Sequence, residues 1–241
     1  MRNRLKAILN NQKDKFLEAK PFPHIIIDNF LEPELANKLS TCFEIETIQR
    51  NKNWTHHHNE NADRYRLEDE FYMDKELQAF ARYTNSRDFI LFLEGITSYK
   101  SLIGDPYFVG GGAMSTSRGG FLKMHVDFNW SHKLQLWRKI NFIIYLTKDW
   151  EKEWGGELVL ESKNSDLEKK IVPLFNRAVI FKVDNLSFHG QPKPLSCPKN
   201  KLRSLFSSFY YSSDKFKTTS EEPHFTKYQI ENSPISKSLS L

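Results

Sequence analysis

Three side chains on two β-rich runs carry the chemistry this sequence can support. In Phe121-Leu122-Lys123-Met124-His125-Val126-Asp127 the segment reads as a strand, which turns His125 and Asp127 to one face and Val126 to the other. His189 comes after a second β-rich run, Ala178-Val179-Ile180-Phe181, which it is taken to end, and Gly190 beside it permits a tight backbone turn. If these strands face one another across a barrel, two imidazoles and one carboxylate converge. Such a set favours ferrous iron, because three protein ligands leave positions open for a bidentate cosubstrate and for dioxygen. Arg203 lies just before the run Ser204 to Tyr211. A buried guanidinium is costly unless paired, and its fork matches a carboxylate, each charge-assisted hydrogen bond contributing about 1.5–3 kcal/mol. The tail of an oxoacid is a natural partner. H-x-D alone is a common string and a lone strand histidine is more often structural, so the weight rests on the four residues together.

The elements that must position them follow from periodicity. From about residue 106 short β-branched and aromatic runs alternate with Gly, Asn and Pro, at 121–127, 140–147, 157–161, 170–174, 178–183 and 204–211, which is the texture of a sandwich or barrel. Ahead of them residues 5–17 show helical spacing up to Pro21-Phe22-Pro23, and His24-Ile25-Ile26-Ile27 follows as a strand. Pro33 opens a helix in the favoured first turn, with Leu35, Leu39, Cys42 and Phe43 on one face. Further helices are expected over 74–83 and 86–99. Residues 49–70 read as a polar surface loop, a candidate lid, and the triple histidine His56, His57, His58 is given no metal role. The expected organisation is one domain over 1–212, with helical support in 1–105 and the β core in 106–212, followed by an extended tail over 213–241.

Composition sets the bounds. A chain of 241 residues is long enough to build one core without disulfides. Its 35 Lys and Arg against 30 Asp and Glu give a formal charge of +5, too modest a surplus to identify a nucleic-acid binder. Two cysteines, Cys42 and Cys197, form neither a disulfide framework nor a zinc-finger spacing; this usage suits a reducing cytoplasm, which would keep iron ferrous. The N-terminus lacks the continuous apolar run of a secretory signal, and no stretch reaches the roughly 20 apolar residues of a membrane-spanning helix.

The order H-x-D, distal His, then Arg opening the last strand resembles the 2-oxoglutarate/Fe(II)-dependent oxygenase superfamily in its prolyl 4-hydroxylase-like branch. Pro21 through Leu31 is similar to the entry strand of that branch. Arg138 through Trp150 followed by Trp154-Gly155-Gly156-Glu157-Leu158 resembles its central block, Arg177-Ala178-Val179-Ile180-Phe181 with Phe188-His189-Gly190 its distal-His strand, and Arg203 through Tyr211 its closing strand. The resemblance spans about residues 21–212 and implies a mainly β (α+β) fold, a double-stranded β-helix or distorted jelly roll with N-terminal helices packed on one sheet. It implies Fe(2+) on His125, Asp127 and His189, with 2-oxoglutarate held by Arg203 and the Tyr145 hydroxyl, Asn141 also within reach of the oxoacid. Tyr145 as a core aromatic and Asn141 as a structural residue are equally good accounts of those two. The implied activity is hydroxylation of an unactivated C–H bond using O2, with decarboxylation of 2-oxoglutarate to succinate and CO2; ascorbate is admissible as a reductant. Asp127 speaks against a halogenating relative, where that corner is Gly or Ala.

The primary substrate is expected to be a peptidyl proline or a small metabolite, chosen by loops at 49–70, 104–120 and 128–138, with Arg118, Trp130, Trp137, Arg138 and the triple histidine as candidate rim contacts. Gly155-Gly156 is assigned a turn and no chemistry. An AlkB-type nucleic-acid demethylase is disfavoured, because Phe209 stands where those enzymes carry a second Arg. A non-catalytic β-barrel holding zinc is the remaining alternative, and it does not account for Arg203 and Tyr145 together.

Overall fold

The computed structural model describes residues 1–12, 15–214 and 222–229. The chain begins with α1 (Arg2–Gln12), α2 (Lys15–Glu18), β1 (His24–Ile27), α3 (Pro33–Thr41), α4 (Ile45–Arg50), β2 (Thr55–His58), β3 (Asp63–Leu67), α5 (Lys75–Thr84) and α6 (Arg87–Thr97). It continues with β4 (Ile103–Gly104), β5 (Gly112–Thr116), β6 (Leu122–Val126), β7 (Trp130–Ser131), β8 (Leu136–Tyr145), β9 (Leu158–Ser162), β10 (Ser165–Ile171), β11 (Ala178–Lys182), β12 (Ser187–Gln191), β13 (Arg203–Ser212) and β14 (Lys227–Tyr228). All strand pairs are antiparallel. The larger sheet runs β1-β11-β8-β13-β5-β3-β2, with β4 beside β13 and β7 beside β8; the smaller runs β10-β9-β12-β6-β14. The result is the jelly roll the resemblance implies, with the helices on the outer face of the larger sheet.

Strand alternation in β8 explains the two layers. Ile140, Phe142 and Ile144 face the helices and join Phe30, Phe89, Phe92 and Phe206 in the main core. Ile143 and Tyr145 face the other way, into a second cluster with Leu160, Val179 and Phe181 between the sheets. The helices present matching stripes: Phe89, Phe92, Leu93 and Ile96 are all buried on α6. Phe142 sits at the centre, its ring 5.4 Å from Phe30 and 5.0 Å from Phe89.

The structure departs from the expected elements in physically legible places. The supposed loop 49–70 contains the end of α4 and the β2–β3 hairpin, which joins the larger sheet through β3 and β5. Its His, Arg and Asp side chains give no apolar alternation, so backbone pairing holds it. β5 (Gly-Ala-Met-Ser-Thr) and β12 (Ser-Phe-His-Gly-Gln) were hidden for the same reason. His189 therefore does not end the 178–183 run; it lies inside β12. The expected strand at 170–174 begins earlier, and its charged residues Asp166, Glu168, Lys169 and Lys170 mark an exposed edge. Of the extended tail, residues 222–229 dock on β6 through β14; 215–221 and 230–241 lie outside the described residues, as do positions 13 and 14 of the first expected helix. None of the described helices is long and apolar enough to cross a membrane. Truncation of Phe142 to Ala is expected to cost about 3–5 kcal/mol of unfolding free energy, to be measured by urea denaturation.

Candidate active site

The site lies between the sheets at the open end of the roll, and its first constraint is a strand pairing. β12 is the hydrogen-bonded neighbour of β6, with His189 directly opposite His125. The two strands do not face one another across the barrel. Opposed residues on one face of such a pair are in contact, and the two imidazole centroids are 4.4 Å apart. Each ring is fixed through Nδ1, which faces the carbonyl of the residue two positions earlier: Lys123 at 2.8 Å for His125 and Ser187 at 3.2 Å for His189. With the proton on Nδ1 donated there, Nε2 keeps its lone pair. Both Nε2 atoms approach Asp127, at 3.5 Å from Oδ1 for His125 and 3.2 Å from Oδ2 for His189. One potential ligand atom from each of the three lies within 4.8 Å of the others. Burial lowers the His125 pKa, aided by the neighbouring His189 and opposed by Asp127, which favours the neutral ring a metal needs.

Asp127 is met from the opposite sheet. Its Oδ2 accepts from Asn141 Nδ2 at 2.7 Å and pairs with the Arg138 guanidinium at 2.9 Å, while Arg138 donates through two nitrogens to Asn141 Oδ1 at 3.0 and 2.7 Å. Burial opposes ionisation of Asp127, but the Arg138 charge and the two histidines hold its carboxyl well below the usual range. Arg138 was expected at the rim; it is 1 % exposed, with its guanidinium 3.3 Å from the Phe209 ring centre and 4.6 Å from that of Phe128. A break in register puts it there. Tyr210 pairs with Ile140 but Tyr211 with Arg138, so Lys139 is the extra residue of a bulge and Arg138 changes to the inner face.

At the other end of the cavity Arg203 opens β13. Its Nε donates to the Gly156 carbonyl at 2.6 Å and Nη2 to the Tyr145 hydroxyl at 3.3 Å. No carboxylate of the described residues lies within ion-pair distance of it. Burial raises the Tyr145 pKa despite the Arg203 cation, so the phenol keeps a proton that it can donate. Gly156 does more than turn the chain: at φ +80° it occupies left-handed space, and a Cβ would stand 2.8 Å from Leu195 Cδ2 and 2.9 Å from Arg203 Cδ.

Sequence reasoning missed two residues, one lining the cavity and one packed against His125. Arg64 enters the cavity from β3, and Tyr228 of β14 places its ring 5.5 Å from His125. An Arg within a polar segment and a Tyr in a tail give no local signal, since only the topology brings them in. Other expected rim residues are engaged elsewhere. Arg118 donates to the Ser196 and Cys197 carbonyls, and Trp130 packs edge-on against Trp137. His56 and His58 pair with Asp63 on the outer face of the hairpin, where the three form an exposed cluster of potential ligands.

Residues 112–211 match the sequence model of the 2OG-Fe(II) oxygenase superfamily. A curated relative, prolyl 3-hydroxylase OGFOD1 of Mus musculus, is 35% identical over 78 residues, 30% of this chain but only 14% of that protein. Among solved structures a Pseudomonas putida prolyl-4-hydroxylase is similar with a TM-score of 0.57 at 12% identity, over 86% of this chain and 98% of that one. A prolyl hydroxylase from Trichoplax adhaerens, in complex with a hypoxia inducible factor peptide fragment, reaches 0.54 at 17% identity over 87% and 88%. At such identities the structures establish the fold, and the sequence match from β5 into β13 likens residues 112–211 to the 2OG-Fe(II) oxygenase superfamily.

Proposed function

We propose that this protein is an Fe(II)- and 2-oxoglutarate-dependent hydroxylase, with His125, Asp127 and His189 as metal ligands and Arg203 with Tyr145 as the anchor for the far carboxylate of 2-oxoglutarate. The observation that carries it is the joint presence, in one cavity, of a two-imidazole, one-carboxylate donor set and a buried guanidinium with no carboxylate of its own. The donor set fits ferrous iron, since it fills three positions on one side and leaves the rest open. The cation fits a dicarboxylate, since an unpaired buried charge is otherwise costly. When bound, ferrous iron with 2-oxoglutarate and O2 supplies the oxidising chemistry that hydroxylates a C–H bond and releases succinate and CO2.

The residues have separable tasks. His125 and His189 present fixed Nε2 lone pairs. Arg138 and Asn141 keep Asp127 ionised and fix its rotation, so Asn141 acts on the ligand carboxylate in this reading. The Gly156 carbonyl aims Arg203, and the Tyr145 hydroxyl donates to the same carboxylate. Ile143, Leu158 and Leu205 line that end of the cavity with apolar surface, which limits water and strengthens the ion pair. A prolyl residue, the substrate class in the names of several relatives, and a small metabolite are both compatible with the cavity. The two cysteines are free thiols, in keeping with a reducing compartment such as the cytoplasm.

Purified protein given ferrous iron, ascorbate and 2-oxoglutarate should form succinate, and complete absence of succinate with every candidate substrate would instead favour a non-catalytic module. Replacing His125 or Asp127 by Ala should abolish metal binding, measured by metal analysis after desalting, together with turnover. Arg203→Ala should leave the metal bound but weaken 2-oxoglutarate by at least roughly 100-fold, since two charge-assisted hydrogen bonds contribute about 3 kcal/mol or more; unchanged affinity in calorimetry would refute the anchor. Gly156→Ala, which pushes on Arg203 without touching the metal donors, should weaken 2-oxoglutarate about tenfold by the same measurement.

A further inference from the structure

Three arginines line the cavity, and they differ in what answers their charge. Arg138 is paired with Asp127 at 2.9 Å. Arg203 is held by neutral oxygens and, on the function proposed above, is answered by 2-oxoglutarate. Arg64 has neither. Its Nε is buried without a hydrogen-bond partner, its Nη1 contacts only the Met114 sulfur at 3.4 Å, and no carboxylate of the described residues is within ion-pair distance. The next arginine on the same face of β3, Arg66, is paired with Glu68 at 2.9 Å, so the hairpin does provide counter-ions where it needs them. Burial and the Arg66 charge press the Arg64 pKa down to about 10, which leaves it protonated at neutral pH.

The hairpin fixes which way Arg64 points. His56, His58, Asp63 and Tyr65 make one face, where Asp63 bonds both histidines and the His56 ring stacks on Tyr65 at 4.4 Å. Strand alternation turns Arg64 to the opposite face, into the cavity. A ferrous ion and an oxoacid dianion cancel one another, so the occupied site would hold three guanidinium groups against the single carboxylate of Asp127. The excess of two positive charges favours a further anion, and the remaining organic ligand is the primary substrate.

We propose that Arg64 is the anion subsite for the primary substrate, and that this substrate is a small metabolite carrying a free carboxylate. One guanidinium fork matches one carboxylate, and Arg203, the other arginine of the cavity without a carboxylate of its own, is taken by 2-oxoglutarate on the function proposed above. The docked tail argues for a small molecule. β14 takes the edge of the smaller sheet along Val126 and His125, so the site is flanked by β14 on one side and by the β2–β3 hairpin on the other.

This rests on the reading of the site as a 2-oxoglutarate oxygenase, and the test separates the two. Protein loaded with Mn2+ and 2-oxoglutarate is screened by thermal shift, then calorimetry, against the proteinogenic L-amino acids and simple hydroxy and dicarboxylic acids, each beside its carboxamide. At least one free acid should bind, with its amide weaker by about tenfold or more. Arg64→Gln should remove that preference and Arg64→Lys restore part of it, both with 2-oxoglutarate affinity within about twofold of the parent. Acids and amides binding alike, no acid binding to a protein that does bind 2-oxoglutarate, or equal loss of acid and 2-oxoglutarate affinity in Arg64→Gln would each overturn the subsite, the last by assigning Arg64 to the cosubstrate. Failure of the parent protein to bind 2-oxoglutarate would sink the underlying function as well.

Discussion

Two imidazoles share a metal only where their Nε2 lone pairs meet, and in this chain backbone pairing imposes the meeting. Antiparallel neighbours bring opposed side chains on one face into contact, and β6 and β12 place His125 opposite His189. The approach depends on Gly190, where a Cβ would stand 2.8 Å from the Lys123 carbonyl oxygen; the register shifts at that residue, so the strands close up beside the site. A slip of one residue would carry one histidine to the far face of the sheet. The proposed metal centre is thus a property of a strand pair, and everything else in the cavity is arranged around it.

The two sheets divide the electrostatics. The proposed donors lie on or just beyond strands of the smaller sheet, while Arg64, Arg138 and Arg203 project from β3, β8 and β13 of the larger. Asp127 is where the halves meet: it belongs to the chain leaving β6, yet its hydrogen bonds go to Arg138 and Asn141 on β8. A buried ion pair offers little net stability once desolvation is counted, but breaking it leaves an uncompensated charge. Its value here is positional, because it fixes a carboxylate oxygen relative to both histidines.

The parts of this arrangement legible in the sequence are those carried by local periodicity or by residue types with few other uses. H-x-D on a strand, the β8 alternation and the helical stripe of α6 are of this kind, and Arg203 was conspicuous as an arginine opening an otherwise uncharged strand. What stayed hidden depends on contacts between distant segments. The bulge at Lys139 turns Arg138 inward, but one residue of register leaves no trace in composition. β12 has too few β-branched residues to announce a strand, the hairpin at 55–67 was masked by its histidines and arginines, and Gly156 looked like a turn glycine until Arg203, 47 residues on, was seen to pack on it. The resemblance supplied the pairing of Arg203 with Tyr145, which no spacing argument reaches.

The cavity's cations also differ in how they are held before any ligand arrives. Arg203 is aimed by a carbonyl and a phenol, and Arg138 is clamped by a carboxylate, an amide and two aromatic faces. Charges fixed in this way need little rearrangement to meet a bound anion, which is where preorganised electrostatics gain over water. Arg64 is held at one guanidinium nitrogen by a thioether sulfur, a weak acceptor, on a hairpin at the end of the sheet. On the subsite proposed above, the hairpin fixes the face from which Arg64 enters, and the finer orientation of its guanidinium would come from the bound anion.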